Sequence, residues 1–213
     1  MTNWESSKHI IEKHGAMTLE VPKPIMKWLI KGAEKARKKG RAANIDLIGH
    51  IKEEYYYTEK SAEFENFLYK DCLSQRNILN YGTNVKILFK AVPYKLHDLW
   101  VNFQKKYEFN PPHKHSGIFS FVIYLKIPYD LKEEESLYPA LNHEGHNHTS
   151  KFAFVNTNTL GKIFVQCLAI DKSFEGKIIM FPSEQIHTVF PFYTSDDYRI
   201  SVSGNIRLNN ETK

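Results

Sequence analysis

The 213-residue sequence contains only two cysteines, Cys72 and Cys167, which lie far apart in unlike contexts. It has no apolar run near the ~20 residues that a membrane-spanning helix needs, and no N-terminal pattern of basic, apolar and small residues typical of a signal peptide. These absences argue against a disulfide framework and a membrane location, and they favour a reducing, cytoplasmic compartment. No internal repeat or low-complexity segment is present either.

Aromatic residues are abundant, with fourteen Phe, twelve Tyr and three Trp in a chain that is 42% hydrophobic. That is enough for one good-sized domain, or for one domain with an appended subdomain. The formal net charge is +5, and much of it lies in "KGAEKARKKGR", residues 31–41. Contact with nucleic acid is one interpretation of this run, but its shortness and lack of interleaved aromatics favour the solvated face of a helix.

Hydrophobic periodicity divides the chain near Gly82. Before it, apolar residues at helical spacing predict three helices, over residues 24–39, 42–56 and 61–75. After it, runs rich in β-branched and aromatic residues predict eight short strands without intervening helices. The predicted strands are residues 85–89, 99–106, 118–127, 151–155, 163–170, 177–181, 187–192 and 198–206. This order favours a closed antiparallel barrel or a jelly roll.

The polar segment 128–150 is predicted to be a long loop, of the kind that often serves as a lid or binding loop. Its "NHEGHNHTS" contains His143, His146 and His148. A second metal site is one interpretation of these histidines. The favoured interpretation is a mobile loop in which their proximity is accidental, because no cysteine or ordered strand supports a site there.

The segment "NPPHKHSG", residues 110–117, contains two histidines one residue apart. On a strand, residues i and i+2 point to the same face, so His113 and His115 can lean toward one ion. His187, at the end of an apolar strand, is the best candidate for a third ligand. Alone, a His-x-His pair is weak evidence for a metal site.

The last predicted strand, "YRISVSGNI", alternates between a polar and an apolar face. In a barrel that holds a ligand, the polar face can turn into the cavity, where Arg199 would need an anionic partner. The alternative is that Arg199 faces solvent or a surface carboxylate.

Together, "NPPHKHSG", "MFPSEQIHTVFPF" and "RISVSGNI" resemble the 2-oxoglutarate/Fe(II)-dependent oxygenases of the double-stranded β-helix fold. The likeness is greatest to a bacterial and phage-encoded branch with a P-H-x-H-x-G segment, and it covers about residues 84–213. The fold that it implies is mainly β, a jelly-roll or cupin-like double-stranded β-helix with N-terminal helices packed on one sheet. Residues 1–83 would be a helical support region and residues 84–213 the oxygenase domain.

The resemblance also implies roles for single residues. His113 and His187 would bind iron, and Arg199 with Ser201, twelve and fourteen residues after His187, would clamp the far carboxylate of 2-oxoglutarate. Related enzymes often place a polar residue that contacts the co-substrate about ten positions before the first ligand. Asn102 lies eleven before His113, although an ordinary outer strand face explains it equally well; Tyr124 is a weaker candidate.

One position departs from the family pattern, since His115 stands where most members have Asp or Glu. Three histidines can bind the metal, as in some cupin dioxygenases, and this is the favoured alternative. Otherwise water or a carboxylate such as Glu184 fills the place, or the site takes Zn or Ni and does no redox chemistry.

The function implied by the resemblance is an Fe(II)- and 2-oxoglutarate-dependent dioxygenase. It would use dioxygen to hydroxylate an unidentified primary substrate and would release succinate and CO2. Two rival interpretations are a cupin-type metalloprotein acting without 2-oxoglutarate and a non-catalytic binding protein that retains the fold.

Overall fold

The computed structural model describes residues 2–13, 15–74, 93–137 and 147–209. The helices are α1 (Asn3–Lys13), α2 (Lys23–Lys39), α3 (Ala62–Asn66), which continues as a π-helix (Phe67–Cys72), and α4 (Leu131–Ser136); Lys172–Phe174 forms a 3-10 turn. The strands are β1 (Met17–Glu20), β2 (Glu53–Tyr56), β3 (Tyr94–Gln104), β4 (Asn110–His113), β5 (Phe119–Lys126), β6 (Phe152–Thr157), β7 (Ile163–Leu168), β8 (Lys177–Pro182), β9 (His187–Val189) and β10 (Arg199–Leu208).

These strands form two antiparallel sheets. The larger has the order β1-β8-β5-β10-β3-β2, and the smaller has the order β4-β9-β6-β7. The interleaving of early and late strands in both sheets is that of a double-stranded β-helix, and the chain is mainly β as predicted.

The central strands of the large sheet alternate between two cores, because successive side chains of a strand point to opposite faces. On β5, Phe121 and Ile123 face a core shared with the helices, whereas Val122 and Tyr124 face a second core shared with the small sheet. β8 alternates in the same way. The large sheet is therefore covered on both faces, by α2 and α3 outside and by the small sheet inside, where α1 also contributes Ile11 to the core.

Helix α2 supports the outer face of the large sheet, as predicted. Its buried residues Ile25, Leu29 and Ala33 recur every fourth position and form one apolar stripe. Phe64 of α3 lies between helix and sheet, with ring centroids 5.6 Å from Trp28 and 5.9 Å from Phe121.

The helix predicted over residues 42–56 is wrong. Ala42 forms a bridge with Tyr55, a series of turns follows, and the end of the segment is β2, paired with β3. The apolar side chains that suggested a helical stripe include Ile45 and Ile48, which are 74% and 60% exposed. Because only Ala43 and Ile51 of its apolar side chains are buried, the segment gains more from pairing its aromatic end with β3.

Other parts of the prediction need smaller corrections. Residues 128–150 are not wholly a loop, because α4 begins there, and its N-terminus is capped by the Asp130 carboxylate, which accepts from two backbone N–H groups. Helix α1 and strand β1 were not predicted. The predicted strand 85–89, the boundary at 83/84, His143 and His146 lie outside the described residues, so the two-part division stays a prediction. In the described ranges, no helix is long and apolar enough to cross a membrane.

Candidate active site

Three imidazoles meet where β4 and β9 pair. His113 and His187 are direct partners in the antiparallel register, with ring centroids 4.3 Å apart. His115 follows β4, and its backbone N–H donates to the Ser183 carbonyl at 2.9 Å. Its ring centroid lies 5.0 Å from that of His113 and 5.1 Å from that of His187. One ring nitrogen from each histidine lies within 4.8 Å of the others, which is close enough for all three to bind one ion.

The hydrogen bonds of two rings decide which nitrogen faces the centre. Nδ1 of His113 lies 2.7 Å from the Pro111 carbonyl, and Nδ1 of His187 lies 3.0 Å from the Gln185 carbonyl. A carbonyl can only accept, so each Nδ1 carries the proton and each Nε2 keeps a lone pair. Backbone partners of this kind hold metal-binding histidines in one tautomer and orientation.

The environment keeps the three rings neutral. Burial lowers the pKa of His113, and burial together with the neighbouring His113 lowers the pKa of His115 to about 4. The pKa of His187 is also lowered, mainly by burial and further by the two other histidines. Because a metal binds the neutral imidazole, this donor set fits a divalent transition metal.

The wall behind the cluster is aromatic. The ring centroid of Phe181 lies 4.7 Å from that of His187, the Phe152 ring stacks on His187 at 5.5 Å, and the Trp100 ring lies 5.8 Å from His115. Within the described ranges, no Asp or Glu joins the three-histidine cluster. Glu184, considered above as an alternative ligand, is 65% exposed and ion-paired with Lys114, which does not favour that role.

The structure brings all seven predicted site residues to one cavity of about 50 Å³. β10 and β3 supply its polar side, because Arg199 pairs with Gln104 and Ser201 pairs with Asn102 in register. Directly opposed residues of an antiparallel pair share a face. The seven are His113, His115, His187, Arg199, Ser201, Asn102 and Tyr124.

Arg199 is 1% exposed, and protein atoms accept from all five of its N–H groups. Gln104 Oε1 accepts from Nε at 3.0 Å and from Nη2 at 2.8 Å. The Tyr129 hydroxyl and the carbonyls of Ser150 and Phe190 take the other three. None of these partners is a carboxylate, so the buried cation has only neutral acceptors in direct contact.

The other predicted co-substrate contacts differ in what they can offer. Asn102 is engaged at both ends, since its Oδ1 accepts from Trp100 Nε1 at 3.0 Å and its Nδ2 donates to Ser201 Oγ at 3.0 Å. The Tyr124 hydroxyl has no hydrogen-bond partner among the described residues. Burial raises its pKa, so it stays protonated and able to donate. Tyr124 and Ser201 are therefore better placed than Asn102 to contact a ligand.

Gln104, Tyr129 and Glu54 lie at or beside the site, although the sequence predicted no role for them. Gln104 shares a strand face with Trp100 and Asn102, so its alternation could have identified it. Tyr129 falls in the predicted loop, where no periodicity exists to place it. Glu54 was hidden by the wrong helix over residues 42–56.

Comparison with known proteins agrees with this geometry. The family model described as "Putative 2OG-Fe(II) oxygenase" matches residues 98–205. No curated protein sequence matches the chain. Two similar solved structures are a prolyl-4-hydroxylase from Pseudomonas putida, with 14% identity and a TM-score of 0.52 over 97% of this chain and 99% of that one, and a 2OG-Fe(II) oxygenase family oxidoreductase from Burkholderia pseudomallei, with 11% identity and a TM-score of 0.54 over 95% and 89%.

At these identities the two structures show the fold alone, whereas the family match spans half of the chain. The matched region contains His113, His115, His187, Arg199 and Ser201. Enzymes of this family are oxidoreductases that use Fe(II) with 2-oxoglutarate and dioxygen as co-substrates. The chain belongs to the 2OG-Fe(II) oxygenase family.

Proposed function

We propose that the protein hydroxylates a primary substrate in a reaction that converts 2-oxoglutarate to succinate and CO2, with iron held by His113, His115 and His187. One observation carries the proposal. Three neutral imidazoles and a buried cation with only neutral direct partners line the same cavity. This is the pairing that a metal and a dicarboxylate require.

The three histidines would hold Fe(II) through ring nitrogens whose lone pairs are free. Their backbone partners already hold two of the rings in place without metal. Metal binding therefore costs less conformational entropy. Because all three ligands are neutral, the full positive charge of the ion remains for anionic co-ligands. When bound, iron, 2-oxoglutarate and dioxygen supply the oxidation chemistry, and the protein supplies position and electrostatics.

Arg199 would bind the far carboxylate of 2-oxoglutarate. A buried charge is costly unless an opposite charge compensates it. Gln104 occupies the Nε and Nη2 edge of the guanidinium, the edge that a carboxylate takes with two parallel hydrogen bonds. Exchange of the neutral amide for a carboxylate would compensate the charge. The hydroxyls of Ser201 and Tyr124 offer further donors in the same cavity.

The aromatic wall would keep water from the reacting centre. Phe152 and Phe181 are each 2% exposed and pack against His187. A dry site strengthens the electrostatic contacts within it and protects reactive species from side reactions.

A second candidate is oxidation at the three-histidine site without 2-oxoglutarate. Two observations favour it: the ligand set contains no carboxylate, and protein atoms already take every donor of Arg199. In this alternative Arg199 is a structural cross-link between β10, β3 and the segment around Ser150.

Fe(II)-dependent release of succinate from 2-oxoglutarate separates the two candidates. The purified protein is supplied with Fe(II), 2-oxoglutarate and air, and succinate is quantified with each component omitted in turn. The proposal expects succinate only when all three are present. Calorimetric titration of 2-oxoglutarate into the Zn(II)-loaded protein is the companion measurement. If the folded, metal-loaded protein does not bind 2-oxoglutarate and releases no succinate, the result favours the second candidate.

A further inference from the structure

A second, larger cavity opens beside the three histidines. Its volume is about 290 Å³, and it shares Trp100, Asn110, His113 and His115 with the inner cavity. A molecule in this outer cavity would therefore lie next to the candidate metal site without displacing what Arg199 holds. Among the described residues, its other ionisable lining side chains are those of Asp46, Glu54, His97, Asp98, Lys114 and Arg207.

Glu54 reaches this cavity because β2 extends the large sheet beyond β3. In the β2–β3 register Glu54 lies opposite Asn102, and Tyr56 lies opposite Trp100. Opposed residues share a face, so Glu54 and Tyr56 continue the polar inner face that carries the predicted co-substrate contacts. Tyr55, between them, packs against the outer core.

Glu54 is a buried residue whose carboxyl group faces the outer cavity without a protein partner among the described residues. The residue is 2% exposed, and within the described ranges its side chain has no hydrogen bond or ion pair. The two neighbouring acids of the lining differ. Asp46 accepts from Arg41 at 2.7 Å and from the Tyr56 hydroxyl at 3.2 Å, and Asp98 accepts from Asn205 at 3.1 Å. A buried carboxyl without a partner is destabilising, so it indicates a ligand that completes it.

The basic residues of the lining have other partners. Lys114 is paired with Glu184, and Arg207 donates from Nη2 to Ser116 Oγ at 2.7 Å, although its buried Nε has no hydrogen-bond partner among the described residues. Glu108 adds negative charge nearby, and its carboxylate accepts from the backbone N–H groups of Lys52 and Lys105. Burial, and then the charge of Glu108, raise the pKa of Glu54 to about 7. The positive charge of a cationic ligand would compensate the carboxylate that burial and Glu108 both disfavour, whereas an anionic ligand would add to the repulsion from Glu108.

We propose that the outer cavity binds the primary substrate and that Glu54 recognises a positively charged amine or guanidinium group on it. This inference rests on the proposed function, because the outer cavity adjoins the site at which that function places the chemistry. The cation would complete an unpartnered carboxyl in a lining that already holds Asp46 and Asp98. Glu54 is then a specificity-determining residue, and the expected substrates are basic amino acid residues, polyamines or comparable cations.

The test compares three probes of similar shape on the Zn(II)-loaded protein with 2-oxoglutarate at pH 8, where the Glu54 carboxyl is mainly ionised. The probes are Nα-acetyl-lysine N-methylamide, Nα-acetyl-arginine N-methylamide and the neutral Nα-acetyl-norleucine N-methylamide, titrated by NMR. At least one cationic probe should bind about tenfold or more tightly than the neutral one, which corresponds to one hydrogen-bonded charge pair.

Two variants locate the preference. Glu54→Gln keeps the side-chain shape and should abolish the preference for the cationic probe. Asp46→Asn removes a charge from the same lining, but the Asp46 carboxylate already has protein partners. This variant should therefore change the preference for the cationic probe by less than about fivefold, the scale of an exposed ion pair. Equal binding of cationic and neutral probes by the wild type, including no binding of any, overturns the inference, as does a preference that survives Glu54→Gln.

Conversion of 2-oxoglutarate by the Fe(II)-loaded wild type is measured in parallel without probes. It distinguishes a failure of the substrate inference from a failure of the proposed function. If 2-oxoglutarate is converted but the probes bind alike, only the substrate inference fails. If the protein neither binds nor converts 2-oxoglutarate, the proposed function fails, whichever probe binds.

Discussion

Gln104 and Arg199 are joined by two hydrogen bonds, in which one amide oxygen accepts from Nε at 3.0 Å and from Nη2 at 2.8 Å. The amide thus stands where the proposed function needs a carboxylate of 2-oxoglutarate. Gln104 is itself held in place, since its Nε2 donates to the Glu108 carbonyl at 2.6 Å. Substitutions of either residue therefore test whether 2-oxoglutarate binds to Arg199.

Gln104→Glu should weaken the binding of 2-oxoglutarate by about tenfold or more. The new carboxylate would neutralise Arg199 from within the protein and compete with the co-substrate for the same donors. Gln104→Ala is the matched control, because it vacates the same edge without adding charge and should bind at least as tightly as the wild type. Calorimetric titration of the metal-loaded proteins measures both. Wild-type affinity in Gln104→Glu would mean that the co-substrate does not use this edge.

Arg199→Ala should raise the Kd for 2-oxoglutarate about 30-fold or more. Loss of one partner of a buried charge pair costs roughly 2–5 kcal/mol, and each ~1.4 kcal/mol is tenfold in affinity. Arg199→Lys should recover only part of the affinity, because an ammonium lacks the planar fork. Since Arg199 also links several segments, thermal unfolding of each variant checks the fold, and Arg41→Ala on the exposed surface is the control. An unchanged Kd in folded Arg199→Ala would exclude the clamp.

The parts of the fold that sequence predicted well are those with a regular apolar period. The last strand alternates so cleanly that Arg199 and Ser201 were predicted to share one polar face, which the family resemblance placed inside, and both lie in the inner cavity. The apolar stripe of α2 likewise predicted its packing on one sheet. In these segments the local pattern and the tertiary burial agree.

Where prediction failed, tertiary contacts outweighed the local pattern. Residues 42–56 have scattered apolar positions, and pairing with β3 decided the conformation of their end. That error concealed Glu54. Tyr129 belongs to the polar segment 128–150, where nothing local shows that its hydroxyl meets Arg199. A contact between residues 70 positions apart depends on the path of the whole chain.

Glu54→Gln should stabilise the fold at pH 8 but not at pH 5. The pKa of Glu54 is raised from 4.5 to about 7, so the folded state holds its proton more tightly than the unfolded state. The contribution of Glu54 to the stability of the wild type therefore falls as pH rises from about 4.5 to 7, by up to about 3 kcal/mol at ~1.4 kcal/mol per pKa unit. Urea unfolding at both pH values measures the difference. Glu34→Gln, on the exposed face of α2, should follow the wild type; an advantage of Glu54→Gln that is equal at both pH values would contradict the assignment.

His187→Ala should abolish stoichiometric metal binding. His187 is 3% exposed and paired with His113 across the strands, and among the described residues no other His, Cys, Asp or Glu joins the cluster to replace its imidazole. Metal content is measured after loading with Fe(II) under anaerobic conditions and desalting. His50→Ala, which removes an exposed histidine that stacks on Phe109, is the control and should keep full metal. Full metal retention by His187→Ala would remove it from the ligand set.

His115 is expected to set the reactivity of the site, because it stands where the family pattern places a carboxylate. His115→Ala should weaken Fe(II) binding by about 10–100-fold or more, since even the loss of a residue that only orients a ligand reaches that size. His115→Asp should keep iron bound and convert 2-oxoglutarate at least as fast as the wild type, because an anionic ligand offsets one charge of the ion and restores the two-histidine, one-carboxylate set. Iron titration and succinate release are compared across the three proteins. If His115→Ala binds iron and releases succinate like the wild type, the third coordination place belongs to water or to another residue, and the ring of His115 serves only to pack against Trp100.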